Sequence, residues 1–521
     1  MREPTWILAL LMGVTAGTLV GCSGAFESGG ASSAPTPGAP STSVTPGASG
    51  PGVGNVATGG GQDFGAFRRA LNENRIPAPS TLDAAGFFAE HFTSLPLPTC
   101  GKTFCLHGML SVSPDMVHGG DWTLLQMGMN SPVDPATVTK PPLDLVVVLD
   151  RSGSMAEAGK MEYAKQGIKL LIDQLGEEDT FTLVAFESQV QTLFGPQRIG
   201  SNRVQVKTIV DRIQPQGGTN IYGGLEAGYK AALAVGDETQ QRRVIFLTDG
   251  LPTSGVTNGA QIKTMSAGYN AQYIGLTTIG LGSDVDAALL RDLSEQGGGN
   301  FYFAEKPAAV QEVFTEELAF FVAPIAYDLE LSINELPSYK VKQVYGTNLW
   351  RTEGAGGQLR VPSVFLVSRT STQPGTSGGR RGGGSAIIAE LSTTPLRPVA
   401  GACDVATLRL SYRQPGSTTI ETQEATIAYN VGDQTDDSGF YSTRDIEKNT
   451  IILGLFIALR DATARAQVDP RGARELLAAF QPKFKARIAG WADDDLIDDI
   501  VILQQYLDVL STRTGVNQPG I

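Results

Sequence analysis

The chain has 521 residues, 41% of them hydrophobic, and a formal net charge of -13. That length exceeds one ordinary core and calls for several domains. Lysine and arginine form no run longer than a pair. The concentrated positive face that nucleic acid requires is therefore absent, and nucleic acid is not an expected partner.

Residues 1–21 read as a lipoprotein signal peptide. Arg2 precedes an apolar run, "WILALLMGVTAGTLV", which is too short for a membrane span. The run ends in "LVGC", Leu19 to Cys22, which resembles a bacterial lipobox. Gly21 would precede the cleavage, and Cys22 would carry the lipid and begin the mature chain. An ordinary secretory signal that contains a cysteine is the alternative. By analogy with lipoprotein sorting in diderm bacteria, Ser23 in place of Asp implies outer-membrane delivery. The expected location is the cell envelope, with the lipid on Cys22 as the membrane contact.

Residues 22–62 are nearly all Gly, Ser, Ala, Pro, Thr and Val. Such a segment cannot bury a core and reads as a flexible tether. Residues 63–142 read as a small α+β domain. "DFGAFRRALNENRIP" and "LDAAGFFAEHF" have helical spacing; "LHGMLSVSP" and "WTLLQMGMN" read as strands. Cys100 and Cys105, in "PTCGKTFCLHG", are expected to form a small disulfide in an exported protein. A zinc site that adds His107 and His118 is the alternative, but the spacing matches no standard zinc motif. Cys403 is left over and is expected to be buried.

Residues 143–321 alternate strand and helix. The strands are "LDLVVVLD", "TFTLVAF", "RRVIFLTDG", "YIGLTTIGLG" and "GNFYFAE". Between them, Met161, Ala164, Ile168, Leu171 and Leu175 mark one apolar helix face. The central strands are apolar throughout, as strands covered on both faces must be. The pattern predicts an open, mostly parallel α/β sheet with helices on both faces.

Residues 322–440 change to period two, as in "YDLELSI" and "ATLRLSYR", and predict a β-sandwich-like module. "TSTQPGTSGGRRGGG" interrupts it as a loop. Residues 441–521 are helical. Leu496, Ile500, Leu503, Leu507 and Leu510 form a stripe in the last helix. Asp493, Asp494 and Asp495 sit at its start, where carboxylates suit the helix dipole. They lack the spacing of a calcium loop.

One constellation carries chemistry. Asp150 ends the first α/β strand, and Ser152 and Ser154 follow at alternate positions, with Gly153 giving the turn freedom. Ligands of parallel sheets bind beyond the carboxyl ends of the strands. One carboxylate and two hydroxyls suit a hard divalent cation. Asp-x-Ser-x-Ser alone is common in serine-rich turns. Two further residues single it out: Thr219 after paired glycines in "QGGTNIYGGL", and Asp249 at the end of "VIFLTDG".

These five residues, in this order, resemble the metal-ion-dependent adhesion site (MIDAS) of von Willebrand factor type A (VWA) domains. The resemblance runs from Leu143 to about Phe321 and implies a Rossmann-like sheet. It also implies roles. Ser152, Ser154 and Thr219 would hold Mg2+ (or Mn2+ or Ca2+) directly. Asp150 and Asp249 would act through bound water. One coordination position would stay open for a carboxylate from a protein partner. The flanks, "DFGAFRRALNENRIPAPSTLDAAGFF" and "VAPIAYDLELSI", resemble YfbK-like bacterial VWA lipoproteins. The loop around Arg380 and Arg381 departs from that likeness.

Few direct carboxylates leave such an ion electron-poor, which favours binding over turnover. The expected function is an envelope-anchored lipoprotein that captures an acidic side chain of a protein partner. An assembly scaffold with a structural ion is one alternative. A metal-dependent hydrolase is another. However, the three histidines, His91, His107 and His118, all precede the α/β segment, and no Ser-His-Asp or His-Glu-x-x-His motif is present.

Overall fold

The computed structural model describes residues 54–514, apart from 58, 63, 135–136, 139, 236–239, 283, 305–306, 321–322, 368–372, 375–379, 382–385 and 433–438. The signal segment, Cys22 and most of the expected tether lie outside the described residues.

The α/β unit is built on Leu143–Asp150 (β1), Thr180–Phe186 (β2), Val190–Arg198 (β3), Gln241–Thr248 (β4), Gly275–Leu281 (β5) and Asn300–Ala304 (β6). Its helices are Lys160–Gln174 (α1), Arg203–Asp211 (α2), Ile221–Ala234 (α3), Gly259–Asn270 (α4), Ala287–Gln296 (α5) and Pro307–Phe320 (α6). The sheet order is Gly60–Gly61, β6, β5, β4, β1, β2, β3. Among the described strands of this sheet, only β3 runs antiparallel. The apolar run in β1 has a direct cause. Leu145, Val147 and Leu149 enter one core with Ile168 and Leu171 of α1. Val146 and Val148 enter the other with Leu225 and Tyr229 of α3. Each such side chain contributes roughly 1.5–3 kcal/mol on burial. The strand order reverses at β1, which has β2 on one side and β4 on the other. That reversal opens a crevice at the carboxyl end of β1.

The remaining segments do not form the three separate domains expected for 63–142, 322–440 and 441–521. Among the described residues, ten strands from both ends of the chain share one sheet. Asp121–Ser131 pairs with Cys105–Pro114 on one edge and with Ile387–Thr393 on the other. Leu110, Leu125, Leu331 and Leu408 meet in one core on this sheet. The sheet curls until the Leu106 amide donates to Gln423 Oε1 at 3.3 Å. Strand partners are chosen by backbone hydrogen bonds across sequence distance, which period-two patterning cannot reveal. Within the expected loop, Gln373–Pro374 pairs with Arg380–Arg381.

The helices are shared in the same way. Arg444–Ala466 (α7), Pro470–Ile488 (α8) and Asp494–Thr514 (α9) pack with Gly65–Asn72 and Ala84–Ala89 in one core. Phe67 meets Tyr506, and Phe87 meets Phe456. Asp493 Oδ1 accepts from the amides of Asp495 and Leu496, and Asp493 and Asp495 both pair with Lys448.

The expected end of the tether at residue 62 is also corrected. Gly54–Ala57 pairs with Gly356–Val367 and Asp121–Ser131, and Gly60–Gly61 adds a parallel edge strand beside β6. Gln62 is buried and donates to Asn300 Oδ1 at 2.9 Å. A glycine-rich backbone can lie this close to another. At Gly299, a Cβ would stand 2.0 Å from the Leu276 carbonyl oxygen.

Candidate metal centre

Asp150, Ser152, Ser154, Thr219 and Asp249, which lie far apart in sequence, all sit at the carboxyl edge of the sheet. Asp150 closes β1 and is fully buried. Its Oδ1 accepts from the Ser152 amide at 2.7 Å, and its Oδ2 from the Thr248 hydroxyl at 2.6 Å. Burial pushes the Asp150 carboxyl up to about 6, against the pull of those two donors.

The loop after β1 is bent back over the sheet. The Arg151 amide donates to Phe186 O, and the Gly153 amide to Gly217 O. Gly217 has φ +72°, and a Cβ there would stand 2.4 Å from Glu187 Oε2, so this turn requires glycine. The next residues place Thr219. Its amide donates to Thr253 Oγ1 at 2.9 Å, and its carbonyl accepts from the amides of Thr253 and Ser254. Asn220 then caps α3 by accepting from the Gly223 amide.

Asp249 follows β4 directly and is fully buried. Ser154 Oγ donates to its Oδ1 at 2.8 Å, and Ser152 Oγ lies 3.5 Å from the same oxygen. The two serine hydroxyls are 3.2 Å apart. Two side chains that sequence reasoning missed complete the set. Thr248 orients Asp150. Lys160, the first residue of α1, donates to Asp249 Oδ2 at 2.7 Å. A lysine opening a helix, against its dipole, was the available signal for the second.

The donors are all oxygen, two carboxylates and three hydroxyls, which suits Mg2+, Mn2+ or Ca2+ better than a soft ion. A methyl at Gly250 would lie 3.5 Å from Thr219 Oγ1 and 4.0 Å from Ser154 Oγ. This glycine thus keeps carbon out of the space between the hydroxyls, and the residues fit a small hard cation. Among the described residues, no group of three or more His, Cys, Asp or Glu side chains is placed to hold an ion.

The other candidate residues lie elsewhere. Cys100 and Cys105 are joined as a disulfide, and Cys403 is buried. His107 Nε2 lies 2.7 Å from Asn130 Oδ1, and His118 faces Asp115 and Asp461, so neither completes a zinc site with the cysteines. His91 is buried between Phe87 O and Asp499.

The family model for the von Willebrand factor type A domain matches residues 144–316. The chain is 24% identical over 285 residues to the uncharacterized protein YfbK of Escherichia coli (strain K12), a match covering 52% of this chain and 48% of YfbK. It is 30% identical over 267 residues to inter-alpha-trypsin inhibitor heavy chain H1 of Bos taurus, covering 48% of this chain and 29% of that one. Among solved structures, a von Willebrand factor type A protein from Catenulispora acidiphila aligns with a TM-score of 0.53 at 16% identity, over 79% of this chain and 92% of that one. That likeness concerns the fold. The chain spans about half the length of YfbK and less of the heavy chain.

Proposed function

Because residues 144–316 form a von Willebrand factor type A domain, we propose that this protein captures a protein partner through a divalent cation at the edge of that domain. The observation that carries the reading is the meeting of Ser152, Ser154 and Asp249 within hydrogen-bond reach, beside Asp150 and Thr219. Ser152, Ser154 and Thr219 would hold the ion, with Asp150 and Asp249 orienting water around it. The cation supplies a Lewis-acidic position that a Glu or Asp side chain of the partner can occupy. Three of the five donors are neutral hydroxyls, so an incoming carboxylate is well compensated. The protein would present this site from the cell envelope, on the outer membrane of a diderm source, anchored by lipid on Cys22.

The test is a pull-down from the native envelope with wild type and Asp150→Ala. Partner capture should require Mg2+ and disappear in the variant while the circular dichroism spectrum stays native. Capture that survives EDTA, or is unchanged in Asp150→Ala, overturns the proposal.

A further inference from the structure

We propose that Lys160 sets the charge of the metal centre, so that the cation binds weakly alone and strongly together with an acidic partner. This rests on the reading above that the site takes a divalent cation.

Lys160 is held in place by three loops. After Ser154, the chain passes through Ala158 (φ 50°) and Gly159 (φ 74°) before α1 begins. Ala158 pays backbone strain for this left-handed turn. The turn aims the first residue of α1 back toward the carboxyl edge of the sheet. Gly282, in the loop after β5, makes room for the lysine stem: a Cβ there would lie 3.0 Å from Lys160 Cε. The Lys160 side chain is then 11% exposed, and its ammonium sits on a carboxylate that is fully buried. A cation at a helix N-terminus opposes the helix dipole, and its burial costs further free energy. Asp249 offsets both.

Asp249 has a divided task. Its Oδ1 receives the serine hydroxyls of the candidate ligand set, and its Oδ2 receives Lys160. Lys160 therefore neutralises this carboxylate from behind, without occupying the oxygen that faces the serines. The nearby Arg151 and Glu187 face each other at 3.6 Å and cancel. Asp150, Asp249 and Lys160 together leave one negative charge. A divalent ion turns that into one positive charge; without Lys160 the same loaded site would be neutral. A positive site attracts a carboxylate and holds its own ion less tightly until the carboxylate arrives. By linkage, partner and ion strengthen each other by the same factor. Lys160 acts here as a positioning and charge-setting residue.

The test uses full-length protein at about pH 8 and low ionic strength, with free Mn2+ read by electron paramagnetic resonance. Acetate serves as the carboxylate probe. Lys160→Met and Lys160→Gln should bind Mn2+ about tenfold more tightly than wild type, from the removed repulsion. Lys160→Arg should match wild type. Acetate should strengthen Mn2+ binding to wild type and do so much less in the two neutral variants. Gln keeps a donor for Asp249, so it carries the test if Lys160→Met fails to fold. Equal or weaker Mn2+ binding by the folded neutral variant overturns the inference, as does an undiminished acetate effect. If wild type itself binds no Mn2+, the metal-site reading falls, and this inference with it.

Discussion

The hydroxyl of Thr248 donates to Asp150 Oδ2 at 2.6 Å, joining the last residue of β4 to the last residue of β1 beneath the candidate metal centre. Both residues are fully buried. Thr248 is not one of the five candidate residues; it fixes the Asp150 carboxylate, which would organise water around the ion. Groups behind a ligand commonly change metal affinity 10–100-fold. Thr248→Val should lower Mn2+ affinity by about tenfold and leave Asp150 held by Ser152 alone. Thr248→Ser should restore wild-type binding. Calorimetric titration decides the matter: unchanged affinity in the valine variant would show that Ser152 suffices.

Gly299 tests how the N-terminal segment is seated. A Cβ there would meet the Leu276 carbonyl oxygen at 2.0 Å, and the Gly299 carbonyl accepts from the Gly60 amide at 2.8 Å. The obstacle is backbone and cannot swing aside. Gly299→Ala should cost about 3 kcal/mol or more through displaced β5 and β6. Urea denaturation measures it. A loss below about 1 kcal/mol would mean that the two strands separate easily.

Asp144 predicts a pH dependence. It is fully buried near the start of β1, and among the described residues neither of its carboxylate oxygens has a hydrogen bond. Burial pushes its carboxyl up to about 7, with Arg242 pulling the other way. The folded chain thus keeps a proton that the unfolded chain loses near its ordinary value of 3.8. This contribution to stability is full below that value and is lost as pH rises through 7. Asp144→Asn stays neutral throughout. Its stability relative to wild type should rise by about 2–3 kcal/mol between pH 5 and pH 8.5. A difference that does not change with pH would sink the assignment.

The proposed anchor is tested by mass. Wild type expressed in a lipoprotein-processing host should begin at a lipid-modified Cys22. Cys22→Ser should accumulate as an unlipidated, unprocessed precursor. Intact mass spectrometry distinguishes the two, and an unmodified Cys22 in the wild type ends the lipoprotein reading.

Much of the centre was legible in the amino-acid order because its signals are local. A strand buried on both faces must be apolar along its length, so "LDLVVVLD" announced β1. The abrupt Asp150-x-Ser152-x-Ser154 marked its carboxyl end, and paired glycines before Thr219 marked a turn that side chains would block. Other features depended on which segments meet. Lys160 shows in sequence as no more than a lysine placed against a helix dipole; the left-handed turn at Ala158 and Gly159 is what brings it to Asp249. Gly54–Ala57 and Gly60–Gly61 look like tether, since glycine carries no pattern. Their backbone hydrogen bonds to two different sheets appear only once those sheets exist. The strands before and after the α/β unit share one core for the same reason. Periodicity says which face of a strand is buried, whereas the identity of its neighbour is set by hydrogen bonding and packing across hundreds of residues.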